Sequence, residues 1–237
     1  MTADESDDFG QILVRLDETP PWSVPWIAPT SDVARSALAA LDRPLRAWST
    51  GFYFDPDDFY SGADRPLLPV ERKVRSAGPR VEWRTECVHL PDEESSAAES
   101  AEYESRIVTV EGFRINPRCL DDYTTIAYQY ASRAGWADPE DGGDDDPDVE
   151  SPVFNTALEW AAAGVCVLQQ SLPWPFMDCL PYAVIDNRPA HRILYAYASL
   201  LAGKHPRLAA KWFRSLVFIN PPDNMGARFY RERGGWE

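Results

Sequence analysis

The chain is short of the residues from which a reaction is usually read. Among its 237 residues there are three histidines, three methionines and four cysteines. A base for nucleophilic catalysis would have to be His89, His191 or His205, and none stands in a recognisable catalytic context. There is no Walker loop, no G-x-S-x-G and no H-E-x-x-H. Cys87, Cys119, Cys166 and Cys179 include no C-x-x-C pair, and Cys87 and His89 in "CVH" lack the second closely spaced ligand pair of structural zinc. No metal and no other cofactor is therefore expected. No window approaches the ~20 apolar residues of a membrane span. The opening "MTADESDDFG" is acidic and lacks the basic and apolar regions of a signal peptide. These absences predict a cytoplasmic protein with reduced thiols.

Positive charge is scarce and unevenly placed. The formal net charge is −15. Residues 1–187 hold 14 Lys and Arg against 35 Asp and Glu, whereas residues 188–237 hold 9 against 3. Phosphates would be repelled by most of this chain, which argues against general nucleic-acid binding and leaves room for a local anion site near the C-terminus. Only Lys73, Lys204 and Lys211 are lysines, and there are 21 prolines, a composition that suggests a GC-rich bacterial genome.

What is present can fold. The chain is 44% hydrophobic and 12% aromatic, enough for a sizeable core. Residues 1–8 read as an acidic tail, and Phe9, Ile12, Leu13 and Leu16 fall at helical spacing. "PPWSVPWIAP" must be extended. Ser31 is the expected N-cap of a helix that Pro44 interrupts, and Pro69 to Ser76 reads as a short helix. "GFYFDPDDFYSGADRP" reads as an aromatic loop, and "VEWRTECVHL" fits either a strand or an irregular segment. Trp22, Trp26, Tyr53, Phe54 and Phe59 are expected mainly to pack this half onto the helices.

From residue 95 helical stripes dominate: Tyr103, Ile107, Val110 and Phe113, then Tyr123, Ile126, Ala127 and Tyr130, and then Ala157, Leu158, Ala161 and Val165. Ile193, Ala196, Tyr197 and Leu200 follow, and Ala209, Trp212, Phe213 and Leu216 complete the series. Helices are predicted over 120–132, 154–170, 189–202 and 207–219, packed as two antiparallel pairs. Between the first two lies a stretch with eight acids among residues 138–150, expected to be a mobile solvated loop. Asp186 or Asn187 is the expected cap of the fourth helix, and Asp223 or Asn224 that of a last one bearing Phe229 and Tyr230.

The tripeptide Ile-Asn-Pro occurs at 115–117 and at 219–221, each time read as ending one helix before a capped one. Two helices per unit, small residues at their crossing and a closing proline are the grammar of tetratricopeptide repeats. Arg188, Pro189, Arg192, Asn220, Pro221, Asp223, Asn224, Gly226 and Arg228 match a segment of tetratricopeptide-like proteins, and "INPRCLDDYTTIA" resembles an earlier repeat of it. The C-terminal half in this way resembles the suppressor-of-tumorigenicity-seven family and related bacterial proteins of unknown role. The resemblance covers about residues 110–230. It implies a helical-repeat fold and association with other proteins, and it implies no reaction.

The expected fold is mostly α: residues 1–95 form an irregular, aromatic- and proline-rich N-terminal region, packed on a short tetratricopeptide-like antiparallel helix array over 96–237. The expected function is non-catalytic binding of another protein or peptide in the array's groove. Asp121, Thr124, Tyr128 and His191 are the candidate groove residues, with Arg188, Arg192 and Arg228 nearby. Two further readings are an acidic inhibitor of antitoxin or immunity type that masks a basic partner, and an enzyme whose catalytic groups are scattered in sequence. Homo-oligomerisation is left open.

Overall fold

The computed structural model describes residues 23–92, 95–136 and 147–230. Trp22, the expected first helix around Phe9–Leu16 and most of the acidic stretch lie outside these residues. Eight α-helices and two small antiparallel sheets are present among them. No helix of the described residues is long and apolar enough to cross a membrane.

The N-terminal half is more regular than its sequence suggests. Helix α1 (Asp32–Ala39) starts on Ser31, whose side chain accepts from the Ala34 N–H. It ends well before Pro44, whose ring would clash with the carbonyl four residues back. Strand β1 (Ala47–Phe54) takes up the start of the expected aromatic loop and pairs antiparallel with β2 (Arg80–Thr85). The register shifts between Ser49 and Tyr53, where Gly51 has φ +79, a conformation that suits glycine. Between the strands lie α2 (Pro56–Tyr60), capped by Asp55, and α3 (Pro69–Ser76), which matches the predicted helix. The far edge of β2 is closed by Cys179, whose N–H donates to Val81 and whose carbonyl accepts from Trp83. Phe52, Tyr53 and Phe59 are 71%, 67% and 45% exposed, so much of the aromatic content expected to pack inward faces solvent along β1 and α2.

The predicted stripe from Tyr103 to Phe113 is not one helix. Helix α4 (Ala97–Glu104) carries a Ser96–Glu99 capping box and stops, and β3 (Val108–Val110) and β4 (Phe113–Ile115) form a hairpin. The β-branched run Ile107–Val110 favours strand, and Glu111 and Gly112 supply the two positive φ angles of a tight hairpin turn. The first Ile-Asn-Pro therefore leaves a strand, whereas the second leaves a helix. What the two share is the turn itself: Cys119 N–H donates to the Asn116 carbonyl and Asp223 N–H to the Asn220 carbonyl, both at 2.8 Å.

The four remaining helices agree closely with their predicted spans: α5 (Leu120–Arg133), α6 (Pro152–Gln169), α7 (Arg188–Lys204) and α8 (Pro206–Ile219). Tyr123 at the start of α5 lies against Gly164 late in α6, so these two run antiparallel. Gly164 late in α6 lies against Ile193 early in α7, while Gly203 late in α7 lies near Phe154 early in α6, so that pair is antiparallel too. Tyr195 meets Phe213 and Tyr197 meets Trp212 across the tight α7–α8 connection. Nearly all of α6 is buried, and one hydrophobic cluster runs from Val24 through α1 and the four helices to Ala227.

The expected caps differ in detail. Asn187 does not cap α7 with its side chain, which instead accepts from Thr85 N–H and donates to the Trp83 and Pro181 carbonyls. Asp223 does cap, but over a single 3-10 turn (Ala227–Phe229): its carboxylate accepts from the N–H groups of Ala227 and Arg228.

Candidate functional site

Of the seven residues singled out in the sequence, Asp121 and Arg192 are brought into direct contact. Arg192 donates to both carboxylate oxygens of Asp121, at 2.8 and 2.6 Å, joining the N-terminal end of α5 to that of α7. The two helices therefore lie side by side in parallel. The outward residues of α5 at that seam are Thr125, Gln129, Ser132 and the half-buried Tyr128, whose ring stacks on Trp136 at 5.4 Å. The matching stripe of α7 is Arg188, Arg192, Tyr195 and Ser199, all partly exposed. Thr124 does not belong to this face. It is buried, and its hydroxyl donates to the Leu120 carbonyl one turn back. His191 is also buried, its Nε2–H donating to the Leu180 carbonyl at 2.5 Å. Burial pushes its imidazole down to about 4, so it is neutral near pH 7. Arg188 donates to the Tyr182 carbonyl and lies 5.2 Å from that residue's ring, while nearby Asp186 pairs with Arg84.

Arg228 stands apart from these helices. Its guanidinium meets Glu71 of α3 at 2.7 Å and Asp223 at 2.8 Å, and donates to the carbonyls of Pro221 and Pro222. Glu71 is fully buried, is held from its other side by Arg65, and accepts from the Leu68 N–H. The Arg65 hydrogen bond leads in holding its carboxyl below the usual range. These fixed partners make Arg228 a tie between the C-terminal turn and α3.

A second polar centre was not foreseen. Segment 86–92, α4 and the turn before α5 surround a cavity of ≈ 690 Å³. Glu86 is its pivot. Arg43 grips both Glu86 oxygens at 2.7 and 2.6 Å, Arg118 reaches one of them at 3.3 Å, and the Arg46 N–H donates to the other. The Arg43 hydrogen bond leads in lowering the Glu86 carboxyl to about 2. Arg106 meets Asp42 at 3.1 Å and Glu102 at 3.5 Å. Asn116 is anchored by its N–H to Asp122, a carboxylate that also accepts from the Tyr103 hydroxyl. Tyr103 and Asp122 in this way fix α4 and the first Ile-Asn-Pro turn to each other, and Tyr103 and Asn116 border the cavity. Its residues come from segments far apart in the chain: Arg43 and Glu86 are 43 positions apart, Arg106 and Asp42 64. The excess of arginine over lysine was the only trace of it in the sequence.

The thiols have the chemistry of buried groups. Desolvation pushes Cys87, Cys166 and Cys179 up to about 12 and Cys119 higher still, so all four are protonated at neutral pH. Cys87 Sγ lies 3.4 Å from His89 Nδ1, and no group of three or more His, Cys, Asp or Glu able to hold a metal is present among the described residues. Comparison with protein families, with curated proteins and with solved structures finds no match to this chain.

Proposed function

We propose that α5–α8 form a short tetratricopeptide-like array, and that the chain is a non-catalytic module binding another protein or peptide on the outward face of α5 and α7. The order of packing supports the first part. Two helix hairpins follow one another, the first helix of each lies beside the other in parallel, and the second helix of one runs antiparallel to the first of the next. Ala127, Ala161 and Ala209 are fully buried on these helices, and Gly164 sits where α5, α6 and α7 converge, as close crossing requires.

The observation that carries the second part is the Asp121–Arg192 pair. It locks the two first helices together and leaves Thr125, Tyr128, Gln129, Tyr195 and Ser199 on one polar and aromatic face. Tyrosine and short polar groups supply contact area and adaptable hydrogen bonding, which suits a protein interface. With Arg192 paired to Asp121, the positive charge on the α7 part of this face is that of Arg188, which favours an acidic or carboxylate-bearing partner segment. The exposed aromatics of β1 and α2 favour a second contact surface, since Phe52 and Tyr53 add apolar area beside a strand edge that is unpaired among the described residues.

The test uses a photo-crosslinking residue at Gln129 or Ser199, and separately at Tyr53, in the native host. The reading expects one discrete adduct from the helical positions, lost when Arg188 and Arg192 are both replaced by Gln. Adducts from Tyr53 alone would move the binding surface to β1, and adducts from neither would refute the module. An acidic inhibitor would instead lose its partner when residues 138–150 are replaced by a Gly/Ser linker, which a groove binder tolerates.

A further inference from the structure

We propose that the arginine-lined cavity between segment 86–92, α4 and the turn before α5 binds a small molecule through an oxyanion, a phosphate or carboxylate group. The site lies outside the α5–α7 face and does not depend on the binding reading given to that face.

Charge balance is the first reason. Arg43, Arg46, Arg106 and Arg118 contribute four guanidinium groups, while the carboxylates in contact with them are Glu86, Asp42 and Glu102. One carboxylate, Glu86, serves three of the four. Asp42 and Glu102 are 59% and 71% exposed, whereas Arg118 is only 4% exposed. The deepest charge in the cavity is therefore positive, and it shares both of its carboxylate partners, Glu86 at 3.3 Å and Asp42 at 3.5 Å, with other arginines. Burial leads in pushing Arg118 below the usual range; Arg43 and Arg106 push in the same direction, and Asp42 and Glu86 oppose them.

Unmet donors are the second reason. Arg106 Nε and Asn116 Nδ2 are both buried and have no hydrogen-bond partner among the described residues, and both residues line the cavity. Asn116 is fully buried, its N–H and carbonyl both being engaged by Asp122 and Cys119. Buried N–H groups are costly to leave unmade. An oxyanion accepts from several such donors at once, and guanidinium groups match its geometry in bidentate fashion.

Size and rim then limit the ligand. The cavity of ≈ 690 Å³ is in the range of small-molecule sites and exceeds a lone phosphate. Asp92, Glu99 and Glu102 are exposed at its margin. The Glu99 carboxylate is taken up by Ser96. These acids repel a long polyanion, and so a compact ligand with one anionic head fits the arrangement better than a nucleic-acid strand.

The experiment is isothermal titration of the full chain at pH 7 with inorganic phosphate and, separately, with citrate, each against sodium chloride at matched ionic strength. Saturable binding of at least one of them is expected, with the dissociation constant raised about tenfold or more in Arg106→Gln and in Arg46→Gln. Arg46 is 74% exposed, so its replacement leaves the fold in place and keeps the test decisive if Arg106→Gln unfolds. Binding of phosphate alone assigns a phosphorylated ligand, and binding of citrate alone a carboxylated one. Absence of binding beyond chloride for both anions, or unchanged affinity in a folded Arg46→Gln and Arg106→Gln pair, would overturn the proposal.

Discussion

Gly164 offers a test in which two well-known effects oppose each other. Within α6 a glycine is worse than alanine by roughly 1 kcal/mol, so Gly164→Ala should stabilise the chain if nothing stood beside it. Something does. A Cβ at this position would lie 2.6 Å from Ile193 Cγ1, 2.7 Å from Ile193 Cδ1 and 2.9 Å from Tyr123 Cβ. Ile193 Cδ1 can rotate away, but Ile193 Cγ1 and Tyr123 Cβ sit close to their own backbones. Both side chains are fully buried. Relief therefore requires α5 and α7 to move off α6, and overpacking of this kind costs ~1–3 kcal/mol. The net expectation is a loss of up to ~2 kcal/mol, at roughly 2–4 °C in Tm per kcal/mol for a chain of this size. Urea unfolding followed by tryptophan fluorescence measures it. Ile193→Ala removes both clashing atoms of Ile193 and should cost ~2–5 kcal/mol alone, but at least ~1 kcal/mol less in the Gly164→Ala background. A Gly164→Ala protein more stable than the parent, with purely additive double-mutant energies, would show that the three helices do not meet there.

Two further outcomes concern the ionic centres. Glu86 has a folded pKa of about 2 against 4.5, so its stabilising contribution is complete above about pH 5 and is lost as pH falls through about 2; urea midpoints between pH 7 and pH 2.5 should therefore fall more steeply for the parent than for Glu86→Gln, and equal slopes would refute the pairing. Arg228→Met should cost about 3 kcal/mol, the low end for breaking a buried ion pair, because Arg65 still meets Glu71; a loss under about 1 kcal/mol in the same urea assay would show that the Arg228 tie is dispensable.

The legible part of the fold was the part governed by one period. Helices α5 to α8 repeat small and large apolar residues at helical spacing, and their spans could be read directly. The hairpin β3–β4 was not legible, because Tyr103, Ile107, Val110 and Phe113 happen to keep helical spacing across a turn that Glu111 and Gly112 create. Strand β1 escaped for another reason: its bulge at Gly51 breaks the alternation that would have revealed it. The functional residues divide in the same way. Asp121 was chosen for its helical position and Arg192 as an arginine near it, and the two are hydrogen-bonded to each other. Thr124 and His191 were chosen by the same count but point into the core, since one position around a helix turns a side chain by about 100°. The arginine cavity has no local signature, because tertiary packing alone assembles it.

The long-range hydrogen bonds of residues 23–85 bear on the order in which the chain can fold. Ile27 N–H is satisfied by Gln169, the Ser23 carbonyl by Ser215 and Thr85 N–H by Asn187, and one nitrogen of the Arg80 guanidinium donates to the Phe218 carbonyl. These partners lie between 102 and 192 positions downstream. During synthesis from the amino end, β1, β2 and α1 emerge first and wait, with strand edges and apolar faces uncovered, until the last helix has left the ribosome. Closing such distant contacts is slow, and exposed edges invite pairing with neighbouring nascent chains. A stop codon early in α8 would therefore damage a distant part of the molecule, by leaving Arg80 of β2 without the Phe218 carbonyl and the Ser23 carbonyl without Ser215.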